Sequence, residues 1–131
     1  MYWEENLSIE GTVIIVEDDP TLRYLMTDIL SEISVLALAF ETADDALTYL
    51  LENCGQCSLV IVDQALPGRV QGDEFIKMLQ NRWPKICSIL TSGYLIDPIE
   101  LPAFTIFLHK PWLLDDLMKS VVTALKKSPY F

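Results

Sequence analysis

Thr12-Val13-Ile14-Ile15-Val16-Glu17-Asp18-Asp19-Pro20 runs from β-branched residues into three acids and a proline with nothing between them. The continuous apolar run Thr12–Val16 predicts a short strand buried on both faces. Asp19 followed by Pro20 predicts a helix start, with Asp as N-cap and Pro at the first helical position. Glu17 and Asp18 are then left at the carboxyl end of a buried strand. They are either a solvated strand end or two hard oxygen ligands whose repulsion a divalent cation relieves. The same device recurs where Leu59-Val60-Ile61-Val62 runs into Asp63.

Outward from these two strands, helix and strand signals alternate. Leu22, Leu25, Met26, Ile29 and Leu30 fall at helical spacing after Pro20. Val35–Phe40 is a second apolar run. Thr42 is a candidate cap for a helix with Asp44 and Asp45 in its first turn and a stripe of Ala43, Ala46, Leu47, Leu50 and Leu51. Leu66-Pro67-Gly68 predicts a turn, and Phe75, Ile76 and Leu79 mark a helix ending before Pro84. Ile86–Thr91 and Phe104–Leu108 are further strands. A last helix carries Leu113, Leu114, Leu117, Met118, Val121, Val122 and Leu125, with Asp115 and Asp116 near its start and Lys126 and Lys127 near its end.

Such alternation predicts an α/β fold, a doubly wound parallel sheet with helices on both faces. Ligands in such sheets bind beyond the carboxyl ends of the strands, near the switch point in strand order. Glu17, Asp18, Asp63, Thr91 and Lys110 all lie at such ends or just past them.

Composition narrows the function. A chain of 131 residues with 51% hydrophobic residues is long enough for one domain with a single core. The division expected is a leader or linker over residues 1–11, the domain over 12–127 and a tail over 128–131. A formal net charge of -10 argues against direct nucleic-acid binding, which needs clustered Lys and Arg. It suits partners that are proteins or cations. No apolar run is long enough to span a membrane, and the N-terminus lacks the form of a signal peptide, so a cytoplasmic location is expected. Three cysteines, Cys54, Cys57 and Cys87, do not make a disulfide framework. They read as reduced thiols, or as a redox or metal site if Cys54 and Cys57 meet Cys87 at the amino-end edge of the sheet.

Four segments, Val-Glu-Asp-Asp-Pro (16–20), Val-Asp-Gln-Ala-Leu-Pro-Gly (62–68), Leu-Thr-Ser-Gly-Tyr (90–94) and Leu-His-Lys-Pro-Trp (108–112), make the chain resemble a response regulator receiver domain of the CheY-like superfamily. The resemblance covers about residues 12–127 and implies a five-stranded, flavodoxin-like sheet of order 2-1-3-4-5. It implies that Asp63 is a phosphoacceptor, charged by a histidine kinase or phosphotransfer protein with Mg²⁺ or Mn²⁺. Asp18 matches the direct metal ligand, Glu17 its partner through water, and the backbone carbonyl of Ala65 a further ligand. Thr91 and Lys110 match the hydroxyl and ammonium that bind the phosphoryl group. Phe107 matches the aromatic that turns inward when Thr91 moves, so Thr91 and Phe107 form the switch. Each has a plainer reading: Thr91 a capping hydroxyl, Lys110 a surface lysine, Phe107 an apolar strand residue, His109 an outward strand-end residue.

The resemblance is imperfect in two places. Pro67 and Gly72 are separated by four residues, one more than is usual, as in receivers of hybrid kinases and some stand-alone receivers. Only eighteen residues separate Thr91 from Lys110, with Pro98 and Pro102 among them, so the fourth helix should be shortened or irregular. Ala65 and Gly93 occupy positions that tune dephosphorylation in the family, and neither side chain orients a water, which implies a long-lived phosphoryl group. After Lys127 only Ser128-Pro129-Tyr130-Phe131 remain. The expectation is a switch rather than a metabolic enzyme, acting on a downstream protein target, either alone or as a piece of a longer kinase or regulator. A second copy of the chain is a further candidate partner. The rivals are a pseudo-receiver that works without phosphorylation and a haloacid-dehalogenase-like phosphatase. The latter would want an Asp-x-Asp pattern that Glu17-Asp18-Asp19-Pro20 does not supply.

Overall fold

Alternate residues of the first strand serve two different cores. In the computed structural model, which describes residues 12–33, 35–93 and 101–126, β1 (Val13–Val16) sends Val13 and Ile15 to one face and Ile14 and Val16 to the other. All four are buried. That is why its sequence is continuously apolar rather than alternating. β3 (Leu59–Asp63) repeats the pattern, with Leu59 and Ile61 on one side and Val60 and Val62 on the other.

The remaining elements are α1 (Pro20–Glu32), β2 (Ala37–Phe40), α2 (Ala43–Glu52), α3 (Gly72–Arg82), β4 (Cys87–Ser92), β5 (Ile106–His109) and α4 (Leu114–Lys126). The five strands form one sheet of order β2-β1-β3-β4-β5, and every neighbouring pair is parallel. Residues of α1 and α4 close one core and residues of α2 and α3 the other. This is the doubly wound, flavodoxin-like arrangement implied by the sequence. Its switch point lies between β1 and β3, at their carboxyl ends.

The caps follow the sequence closely. Asp19 Oδ1 accepts from the Thr21 and Leu22 amides at 2.9 and 3.4 Å, with Pro20 opening α1. Thr42 Oγ1 accepts from the Asp45 amide at 3.0 Å. Some stripe residues lie elsewhere than expected. Leu25, Leu51, Leu113 and Leu114 are 47, 48, 72 and 53% exposed. Val35 is buried but precedes β2, its amide bonded to the Leu30 carbonyl at 3.0 Å. Between β4 and β5, described residues 101–105 form a turn, closed by Thr105 N–H on Pro102 O at 3.0 Å, and no helix. Pro98 and the rest of 94–100 lie outside the described residues, as do the leader 1–11 and the tail 128–131. No described helix is long and apolar enough to cross a membrane.

The thiols do not assemble a metal site. All three are free, and among the described residues the only metal-capable group of three side chains is Glu17, Asp18 and Asp63. Cys57 donates to the Leu59 carbonyl at 3.1 Å, and burial pushes its thiol up to about 12. Burial raises Cys87 as well. Cys54 is exposed. Near neutral pH a thiol reagent should therefore modify Cys54 quickly and spare Cys57, as peptide mapping would record. The unfolded chain releases the Cys57 proton near its ordinary value of 9.0, whereas the folded chain holds it to about 12. Stability is thus lost as pH rises across that window, by at most about 1.4 kcal/mol per pH unit from this group. Cys57→Ala should remove that part of the alkaline decline in urea unfolding.

Candidate functional site

Parallel register carries the strand ends to one place. Val16 is level with Val62, Asp63 with Thr91, and Ser92 with His109. Residues one step beyond β1 and β5, Glu17 and Lys110, therefore reach Asp63 from opposite sides. The Glu17 amide bonds Phe40 O at 3.0 Å and the Lys110 amide bonds Ser92 O at 2.8 Å, so both are held by continuations of the ladder.

The side chains converge as the sequence implied. Lys110 Nζ lies 3.0 Å from Glu17 Oε1 and 3.2 Å from Asp63 Oδ1. Thr91 Oγ1 donates to Asp63 Oδ1 at 3.3 Å. Glu17, Asp63 and Thr91 are buried, and Asp18 is exposed at the rim. One carboxylate oxygen from each of Glu17, Asp18 and Asp63 falls within 4.8 Å of the other two. Phe107 is half-buried, packs on the α2–α3 side of the sheet and stacks against exposed His109 with ring centroids 6.1 Å apart.

One ammonium serves two buried carboxylates, so charge compensation is incomplete. Burial, with the Asp63 charge adding to it, holds the Glu17 carboxyl above its ordinary value against the opposing Asp19 amide and Lys110. Burial disfavours the Lys110 ammonium, but the Glu17 and Asp63 carboxylates outweigh it and its pKa is raised. Three carboxylates are hard oxygen donors, the set that suits Mg²⁺ or Mn²⁺, and the cluster is able to bind such a metal.

Five residues that the sequence did not single out for the site build its frame. Arg23 Nη1 donates to the carbonyls of Glu17 and Asp18 at 2.7 and 3.4 Å, tying the acidic segment to α1. Its signal was a cation in the first turns of a helix, where the dipole disfavours one. Gln64 and Asp73 exchange two hydrogen bonds, each 2.9 Å. Gln71 bonds both polar groups of the Leu66 backbone. Asp44 Oδ1 accepts from the Arg69 and Val70 amides at 3.2 and 3.3 Å, beside Gly68 at φ +94°.

Gly72 starts α3 directly against the phosphorylation-candidate strand. A Cβ there would lie 2.4 Å from the Asp63 carbonyl and 2.8 Å from Gln64 Cα, both backbone atoms. Gly72→Ala must push α3 from β3, and we expect a loss of about 2–3 kcal/mol in denaturant unfolding. A change under about 0.5 kcal/mol would contradict that close approach.

Comparison with known proteins places this geometry. The profile described as "Response regulator receiver domain" matches residues 13–122. The hydrogenase transcriptional regulatory protein HoxA of Cupriavidus necator is 30% identical over 122 residues, 89% of this chain and 24% of that protein. This chain thus spans about a quarter of that relative's length. Among solved structures, the receiver domain of NtrX from Brucella abortus has a TM-score of 0.75 at 27% identity, covering 88% of this chain and 99% of that one. A response regulator receiver protein from Sinorhizobium medicae has a TM-score of 0.82 at 18% identity, covering 90% and 96%. With the profile spanning most of its length, the chain belongs to the response regulator receiver domain family, the signalling domains of two-component systems.

Proposed function

We propose that this receiver takes a phosphoryl group onto Asp63 from a phosphohistidine on a histidine kinase or phosphotransfer protein, with Mg²⁺ or Mn²⁺ required. The observation carrying the proposal is that the buried Asp63 carboxylate meets Thr91 Oγ1, Lys110 Nζ and the acids Glu17 and Asp18 at one strand end. An Asp63 oxygen forms the new P–O bond as the P–N bond of the donor breaks, and the imidazole leaves with that electron pair. Thr91 donates its hydroxyl to a phosphoryl oxygen, and Lys110 transfers its ammonium from the carboxylates to another. Glu17, Asp18, Asp63 and the Ala65 carbonyl would hold the cation, which when bound compensates charge on the phosphoryl oxygens.

Thr91 leaves its bond to Asp63 in this scheme, and Phe107 turns into the space beside it. That is a population shift between two packings, driven by a contact present only in the phosphorylated state. The resulting surface is read by a downstream protein target in the cytoplasm. The domain acts as a switch rather than a metabolic catalyst. The phosphoryl group should be long-lived, because Ala65 is exposed with only a methyl group and, among the described residues, nothing beyond its chain neighbours lies within 4 Å of where a Gly93 Cβ would sit. We expect label on purified protein to persist for minutes or longer after donor removal; loss within seconds would contradict this.

The test is incubation with acetyl phosphate and Mg²⁺, read on a phosphate-affinity gel. A retarded band is expected, prevented by EDTA and missing in Asp63→Asn. Wild type that takes no label from this donor or any histidine kinase tested is a pseudo-receiver instead.

A further inference from the structure

The loop between β3 and α3 is held by side chains at both ends, and one of them grips the two peptide planes that flank Leu66. Leu66 N–H donates to Gln71 Oε1 at 3.1 Å, and Gln71 Nε2 donates to Leu66 O at 2.9 Å. The Leu66 amide shares its planar trans peptide unit with the Ala65 carbonyl, which must point the opposite way. Fixing the one therefore fixes the other. Gln71 is itself anchored as the residue preceding α3, its amide bonded to Glu74 Oε1 at 3.1 Å. The two planes before the 65–66 unit are fixed too: Gln64 N–H, in the 63–64 unit, bonds Thr91 O at 2.9 Å, and Gln64 O, in the 64–65 unit, accepts from the Gly72 amide at 3.0 Å.

We propose that Gln71 is a positioning residue for the divalent cation, holding the Ala65 carbonyl in one orientation through the Leu66 amide. This rests on the role given above to that carbonyl as a cation ligand. Ala65 is exposed and has no side chain able to fix its own peptide. Without Gln71 the 65–66 plane samples other orientations, and cation binding is weakened by the fraction of time it spends in them. Asp44, through Arg69 and Val70, restrains the far half of the loop and leaves this plane to Gln71.

The test is calorimetric titration of Mg²⁺ into the full chain, with thermal unfolding of the same samples. Gln71→Ser removes both bonds to Leu66 while keeping a good helix N-cap, so α3 is preserved. Its Mg²⁺ affinity should fall about tenfold, the scale of lost outer-shell support at metal sites. Gln71→Glu still accepts from Leu66 N–H and should stay within about threefold of wild type or better. A purely structural glutamine would lower Tm in both variants and leave affinity alone. Affinity of Gln71→Ser within about twofold of wild type overturns this inference by itself, as does an equal loss in both variants. Hydrogen exchange needs no variant: Leu66 should be protected, and exchange at the free-peptide rate overturns the clamp. Wild type that binds no Mg²⁺ overturns the assignment of the metal site and this inference with it.

Discussion

Asp63→Asn is expected to abolish phosphoryl acceptance and, without metal, to unfold at higher denaturant than wild type. Both effects come from the same charge. Asp63 is 7% exposed and Glu17 2% exposed, and a single lysine bridges them. The Asp63 charge is one cause of the raised Glu17 pKa. An amide of the same shape removes that repulsion and still accepts from Thr91 Oγ1. The gain should be about 1 kcal/mol at neutral pH in urea unfolding with EDTA. Since Glu17 is held above its ordinary value, its destabilising share is smallest below pH 4.5 and grows as pH rises through its folded pKa. The advantage of Asp63→Asn should therefore shrink in acid. Mg²⁺ should stabilise wild type more than the variant. A metal-free Asp63→Asn protein less stable than wild type would contradict the picture of a crowded acidic site.

Lys110→Met should move two properties in opposite directions. Phosphoryl transfer from acetyl phosphate should slow by about 10²-fold or more, because a preorganised cation facing developing charge is lost. Mg²⁺ should bind severalfold more tightly, because Lys110 Nζ now holds two of the carboxylates at 3.0 and 3.2 Å and competes for them. Breaking that partly buried pairing should also cost about 1–3 kcal/mol of metal-free stability. Gel time courses measure the first effect and calorimetric titration the second. If cation affinity and transfer rate fall together, Lys110 is holding the site's shape rather than supplying charge to the phosphoryl group.

The fold was legible where burial is two-sided. β1 and β3 are uninterrupted apolar runs because both their faces pack on helices. Helix stripes were read too widely. Leu25 and Leu51 each adjoin a buried residue, Met26 and Leu50, yet one step is about 100° of rotation, enough to leave the contact. Leu113 and Leu114 lie at the entry to α4, before its buried turns begin at Leu117. Val35 looked like strand because it is apolar, but its amide serves the end of α1. The convergence of Glu17, Asp18, Asp63, Thr91 and Lys110 was legible because parallel register fixes where strand ends go. Gln71, Gln64 and Arg23 were not. Their partners are mainly backbone groups or loop neighbours, and no pattern of residue types records the path of a loop.

The most direct measurement is the position of the phosphoryl group itself. Wild type treated with acetyl phosphate and Mg²⁺ would be reduced with borohydride, which converts an acyl phosphate to a stable alcohol, and mapped by mass spectrometry. We predict modification at Asp63 alone, dependent on the cation. Modification at any other residue, or at Asp63 without the cation, would contradict the account.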